Sequence, residues 1–289
     1  MTKEQVNQMS IIGKVGNKIQ EKRRMAKLDV TTFSKLLSRP VHFVAVLCND
    51  NAMGTPDTPY YKRPTKNVYL LHGYSGCESD WYSNAPLTDL ANKYNVNFFM
   101  PNGDNSFYLD NKATGYKYAS YVGKEFIEYT RKTFNLSDRR EDTYIGGLSM
   151  GGFGALHTGF MFNDTFSKVI ALSSALIQGM IKHLDPSMDN PMANYEYYAW
   201  TFGVKDGVDF DASENNPEYL VKKLKEEGKQ IPDIYMACGT EDFLIEPNRQ
   251  FKAFLDENKV PVTFVTGPGV HDFNFWRKYL EEGLKWALD

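Results

Sequence analysis

"TYIGGLSMGGFGALH", residues 143–157, sets a serine between glycines, directly after one short apolar run and directly before a longer one. The first run has the length of a buried strand and the second that of a helix. A Gly-x-Ser-x-Gly sequence at such a junction lets the backbone turn so sharply that the serine hydroxyl stands exposed above a sheet. Gly147 and Gly151 are then needed because side chains there would collide with the neighbouring strand or helix. The same glycines would also serve a packing turn without chemistry. Whether Ser149 is a nucleophile therefore depends on what the other loops bring to it.

On both sides of this stretch the chain alternates between short apolar runs and helical patterns. "PVHFVAVL", "VYLLHG", "VNFFMP", "TYIGGLS", "KVIALSS", "DIYMACG" and "VTFVTG" read as strands. Between them lie a helix after Asn84 with Pro86 in its first turn, the amphipathic "YASYVGKEFIEYTRKTF" and the helix that follows Ser149. "NPEYLVKKLKEEG" carries Asn216 as N-cap, Pro217 at the first helical position and Gly228 as terminator. "FNFWRKYLEEGLKWAL" closes the chain. This alternation predicts an α/β fold, a mostly parallel central sheet with helices on both faces. Its 289 residues can fill one such domain.

Bulk properties narrow the function. A net charge of −3 gives no reason to expect nucleic acid or an anionic membrane as partner. Cys48, Cys77 and Cys238 are scattered and odd in number, which fits neither a disulfide framework nor a zinc site. No apolar run is long enough to span a membrane, and the amino terminus lacks the apolar core of a secretory signal. A cytoplasmic location is the expectation. Residues 1–28 hold seven Lys and Arg against two acids. Residues 1–24 read as a basic extension outside the main fold; the rival reading is a basic helix that touches a membrane or partner. Residues 25–289 then form the single domain.

In a parallel sheet, ligand sites form at the carboxyl ends of the strands, so each loop there can be asked what it carries. A serine hydroxyl needs a base, and there are five histidines. His42 falls in an apolar strand and His157 in the helix after the serine, both positions that favour packing. His183 lies in a polar connection. His271, in the glycine-rich "GPGVHDF" between the last strand and the last helix, is placed to reach over the sheet towards Ser149. The third member should be a carboxylate that fixes the imidazole tautomer. "DIYMACGTEDFL" offers Glu241 and Asp242, with Glu246 further on; Asp242 is the better placed and Glu241 its competitor. The order serine, acid, histidine is that of α/β-hydrolases.

An oxyanion site needs two amides. One should follow the nucleophile, here Met150 at a helix start whose dipole favours negative charge. The other should come from "YLLHGYSGCESDW", where Gly73 lets the amide of Tyr74 approach the substrate and His72 supports the loop. Between "ALSSALI" and "DIYMACG" the connection exceeds a simple crossover. It predicts a cap insertion at about residues 176–232, whose "YEYYAWTFG" would line a substrate pocket with Tyr198, Trp200 and Phe202. The alternative is a satellite core under a long loop. "NGDNSFY", residues 102–108, should border the cleft, with Asn105 and Ser106 as polar contacts.

With these residues placed, the chain resembles the esterase D family of α/β-hydrolases. The likeness is carried by "YLLHGYSG", "FFMPNGDNSFYLD", "YIGGLSMGGFGAL", "CGTEDFL" and "GVHDFNFW", and spans about residues 29–289. It is nearest to the small intracellular tributyrin-type acyl esterases. The family also holds S-formylglutathione hydrolases, feruloyl and acetyl-xylan esterases, and mycolyltransferases. The resemblance implies the triad Ser149, Asp242 and His271, choosing Asp242 over Glu241, with Tyr74 and Met150 at the oxyanion positions. It implies nothing for residues 1–24. The expected function is a serine carboxylesterase that hydrolyses short-chain acyl esters of small molecules through an acyl-enzyme, with no cofactor or metal required. Alternatives are a feruloyl or acetyl sugar esterase, an S-formylglutathione-type thioesterase and an acyltransferase. A catalytically silent binding protein is the alternative from another class.

Overall fold

The computed structural model describes residues 26–48, 56–189, 193–205 and 208–289. The basic extension expected at residues 1–24 lies outside them. Eight strands form one sheet: β1 (Ala26–Ser34), β2 (Arg39–Leu47), β3 (Lys66–Leu71), β4 (Val96–Pro101), β5 (Thr143–Leu148), β6 (Lys168–Leu172), β7 (Asp233–Gly239) and β8 (Val262–Gly267). Their order is β1-β2-β4-β3-β5-β6-β7-β8. β1 and β2 pair antiparallel, as do β2 and β4, and every other pair is parallel.

β1 is absent from the sequence reading. From Ala26 to Phe33 its residues alternate between half-buried and exposed, because an edge strand has only one partner and little apolar covering. The same exposure corrects the packing role expected of His42. Its side chain faces solvent and its Nδ1 lies 3.0 Å from the Thr31 hydroxyl of β1.

The interior strands are buried on both faces, and their alternation divides the core in two. Tyr69, Leu71, Phe99, Ile145, Val169, Ala171 and Met236 point to one side. Val68, Leu70, Phe98, Met100, Ile170, Leu172 and Ala237 point to the other. The second side is covered by α1 (Asp80–Asn84), α2 (Leu87–Tyr94) and, at the end of the chain, the helix Phe273–Leu288. Pro86 sits at the N-cap of α2 rather than inside its first turn. The first side receives α3 (Tyr118–Ser120) and α4 (Phe126–Phe134), joined through a π-helical turn at Tyr121–Glu125. It also receives α5 (Met150–Met161). Nearly all of α5 is buried, so it is apolar on every side rather than amphipathic.

Between β6 and β7 the chain forms α6 (Gln178–Lys182), α7 (Tyr195–Phe202), a 3-10 turn at Phe210–Ala212 and α8 (Pro217–Glu226). Asn216 caps α8 by accepting the Glu218 amide, and Gly228 follows with φ +62°. Phe202, Phe210, Leu220, Val221 and Leu224 from this segment join the first core. Its inner face is thus continuous with the main core. α9 (Ile245–Glu257) and α10 (Phe273–Leu288) complete the helices on the two faces, giving the α/β-hydrolase arrangement. The carboxyl ends of β3, β5, β7 and β8 lead into the four loops that matter next.

Candidate active site

Ser149 sits between β5 and α5 with φ +54° and ψ −119°. A side chain in such a conformation costs on the order of 1–3 kcal/mol. The turn is held by three backbone bonds: Ser149 N donates to Leu172 O, and Ser149 O accepts from Phe153 N and Ala175 N. The glycines make the turn possible through close approach. A Cβ on Gly147 would lie 2.2 Å from the Gly151 oxygen, and one on Gly151 would lie 2.3 Å from the Leu71 oxygen. These are backbone atoms of the strand and helix themselves and cannot swing away.

The structure brings the serine, histidine and acid loops together. The Ser149 hydroxyl donates to His271 Nε2 at 2.9 Å. On the other nitrogen, His271 Nδ1 donates to Asp242, at 2.9 Å from Oδ2 and 3.1 Å from Oδ1. Asp242 is 2% exposed. Burial works to raise its pKa, but the bonds from His271, the Leu244 amide and the Ser173 hydroxyl outweigh it and hold the carboxyl below its ordinary value. Asp242 is therefore an anion that fixes the imidazole tautomer. Asp272 caps α10 by accepting the amides of Asn274 and Phe275, and so anchors the residue after the histidine.

Glu241 has a different place. It is exposed, and its carboxylate accepts the Gly269 amide at 2.6 Å and the Thr240 hydroxyl at 2.7 Å. Glu246 pairs with Arg249 on the surface of α9.

The loop after β3 rises beside the serine. A Cβ on Gly73 would come 2.8 Å from Leu148 Cδ1 and 3.5 Å from Ser149 Cβ. His72 is buried and braces this loop: Nδ1 donates to Gly73 O at 2.8 Å, and Nε2 accepts the Gly103 amide at 2.8 Å. Burial pulls its pKa below the ordinary histidine value, so it stays neutral. Asn105 and Ser106, expected as polar contacts for substrate, are instead structural. Asn105 Oδ1 accepts the Ser75 amide at 2.7 Å, and the Ser106 hydroxyl donates to Gly103 O at 2.6 Å. The Asn105 carbonyl accepts the Tyr197 hydroxyl at 2.7 Å.

Of the three expected pocket residues, Tyr198 is the one near the Tyr74 loop. It packs on Tyr197, which in turn meets the Tyr74 ring edge-on at 5.6 Å. Phe202 is a core residue, fully buried among Phe107, Phe153 and Phe210. Tyr198 and Phe202, four residues apart, share one face of α7 and both pack against Phe107, while Trp200 lies on another face. Trp200 is 42% exposed, stacks under Lys205, and lines a cavity of about 1110 Å³ with Lys112, His157 and Glu214. Ser149, Asp242 and His271 do not line that cavity.

Three neighbours of Asp242 and His271 carry no signal of their own in the sequence. Ser173 bonds Asp242 and accepts Trp276 Nε1 at 3.0 Å. Trp276 and Phe243 contact the His271 ring at 4.9 and 4.6 Å between centroids. The one signal available was proximity: Phe243 follows the acid, and Trp276 falls in the first turn of the helix that begins beside His271.

The Esterase family model matches residues 56–287. An acetyl esterase of Caldicellulosiruptor saccharolyticus is 41% identical over 266 residues, which cover 91% of this chain and 98% of that protein. The chain belongs to the esterase family. This esterase is a carboxylic ester hydrolase of the serine type, within the esterase D-like group. Among solved structures it is similar to the fluorophosphonate-binding serine hydrolase F of Staphylococcus aureus, at 29% identity and TM-score 0.77, covering 92% of this chain and 99% of the other. It is also similar to an S-formylglutathione hydrolase of Staphylococcus aureus, at 28% identity and TM-score 0.76, covering 92% and 100%. Among its described residues no helix is long and apolar enough to cross a membrane.

Proposed function

We propose that this esterase hydrolyses short-chain acyl esters, acetates among them, with Ser149 as nucleophile, His271 as general base and acid, and Asp242 as the group that orients and charges the imidazole. The observation that carries this reading is the continuous line of hydrogen bonds from the Ser149 hydroxyl through His271 to Asp242. The name of the 41%-identical relative supports acetate as one acyl group.

The steps follow from the positions. As Ser149 Oγ bonds to the ester carbon, its proton passes to His271 Nε2, and the carbonyl oxygen takes up the negative charge. The amides of Tyr74 and Met150 are the donors for that oxyanion. Met150 opens α5, and the first amides of a helix have no partner within it. One such donor is worth about 3 kcal/mol in the transition state. The bond to the alcohol oxygen then breaks, and that oxygen leaves with the proton from His271. Water adds to the acyl-enzyme by the same route, returning the serine and releasing the acid. Asp242, held as an anion, stabilises the imidazolium in both halves. We take α7 as part of a cap on the acyl side, where Tyr198 packs on Tyr197 and Tyr197 meets Tyr74.

The test is hydrolysis of p-nitrophenyl esters from acetate to octanoate by wild type and Ser149→Ala. Turnover that peaks at short chains and vanishes in the variant is the expected result. Turnover that survives the substitution would overturn the assignment.

A further inference from the structure

The loop that supplies Asp242 also carries Phe243, which at 74% has the largest exposure of any big apolar side chain among the described residues. Its ring lies 4.6 Å from the His271 imidazole, tilted by 47°. Val270, directly before His271, is 49% exposed. Trp276 also meets the imidazole, edge-on, but that indole is buried and its N–H is committed to Ser173. A single exposed phenylalanine is ordinary on a protein surface; the position of this one is what matters.

In the acylation step the departing oxygen must lie within hydrogen-bond reach of His271 Nε2 to take its proton. The atoms attached to that oxygen are then held within a few ångströms of whatever adjoins the imidazole. An exposed surface adjoining it is the phenyl ring of Phe243. The acyl group departs from the same carbon in another direction, because the carbonyl oxygen is turned towards the amides of Tyr74 and Met150. Acyl and alcohol portions therefore meet different walls.

We infer that Phe243 forms the subsite for the alcohol portion of the ester and selects for alcohols that are apolar beside the ester oxygen, aryl ones above all. The inference rests on the proposed triad. The ring supplies a flat apolar face already in place, on which an aryl group can stack or meet edge to face. A methyl or hydroxylated alcohol gains little from it.

The experiment compares wild type, Phe243→Ala and Phe243→Leu on 2-naphthyl acetate, methyl acetate and 2-naphthyl butyrate. Taking each variant's kcat/KM ratio relative to wild type cancels the intrinsic reactivity of the leaving groups. In Phe243→Ala the naphthyl-to-methyl ratio should fall roughly tenfold, the size of a lost apolar contact in a pocket, and Phe243→Leu should fall between. The acetate-to-butyrate ratio on the naphthyl esters should hold, because the acyl side is untouched. An unchanged naphthyl-to-methyl ratio, or a change in the acetate-to-butyrate ratio instead, would overturn the assignment. Failure of the triad itself reads out separately, as turnover of these esters by Ser149→Ala.

Discussion

The Glu241 carboxylate accepts the Gly269 amide at 2.6 Å, while its sequence neighbour Asp242 reaches His271 two residues further on. Adjacent acids thus take separate tasks: one ties the acid loop to the histidine loop, the other meets the imidazole. Glu241 is exposed, whereas Asp242 is buried. Asp242→Asn keeps the shape but no longer selects the tautomer that leaves Nε2 open to the serine proton. It should lower kcat on p-nitrophenyl acetate by a factor on the order of 10⁴. Glu241→Gln keeps an acceptor for Gly269 and should cost less than about tenfold. The opposite ranking would transfer the acid role to Glu241.

His72 joins two loops through two different atoms, with Gly73 O on Nδ1 and the Gly103 amide on Nε2. In the proposed reaction it positions the backbone that presents the Tyr74 amide. His72→Phe would leave both backbone groups buried without their partner. If the Tyr74 amide then drifts from the oxyanion, kcat should fall about 10²-fold, within the range of losing one such donor, with KM changed far less. His72→Gln, which can both donate and accept, should recover part of kcat. A loss confined to KM, or no recovery with glutamine, would remove His72 from this role.

The strand ends of β4, β7 and β8 and the span of α10 are legible in the sequence, because each apolar run stops at a proline, a glycine or a capping residue. Ser149 and His271 are legible for a similar reason, since the turn chemistry around them has few alternatives. What the sequence hides depends on three-dimensional neighbours. β1 shows no apolar run because it lies at an edge. Asn105 and Ser106 look like substrate contacts, yet their polar atoms meet backbone groups of nearby loops. Phe202 looks like a pocket residue, yet α7 turns it inward to Phe107 and Phe153. A single residue type at a loop or helix serves the core and the cleft equally well, and only packing decides.

Two glycines test the packing argument by contrast. A Cβ on Gly151 would meet the carbonyl oxygens of Leu71 and His72 at 2.3 and 2.5 Å, whereas one on Gly179 in α6 would meet nothing within 4 Å. Gly151→Ala forces β3 and α5 apart in a closely packed interior and should destabilise by roughly 3 kcal/mol or more. Gly179→Ala should stabilise by about 0.5–1 kcal/mol, from the better helix propensity of alanine. Urea unfolding of both variants beside wild type measures the difference. Equal effects would show that the approach of Gly151 to β3 is not a constraint.

Buried His157 should weaken the fold in acid. It lies buried in α5, stacked on Phe153, with Nε2 donating to Glu214 O at 2.9 Å. Burial pulls its pKa from 6.5 down to about 4. In the unfolded chain the imidazole takes a proton near pH 6.5, and in the folded chain only near pH 4. Between these values the unfolded state binds more protons, so stability is full above about pH 6.5 and declines as the pH falls through the window. By pH 5 the loss from this one group should be about 2 kcal/mol. His72, also shifted downward by burial, adds a loss of the same sign. His157→Gln retains a donor for Glu214 but does not titrate. Its unfolding free energy, followed in urea from pH 7 to pH 5, should therefore fall by about 2 kcal/mol less than that of wild type. Parallel curves for the two proteins would mean that the folded state protonates His157 as readily as the unfolded chain does, and that its burial has no acid cost.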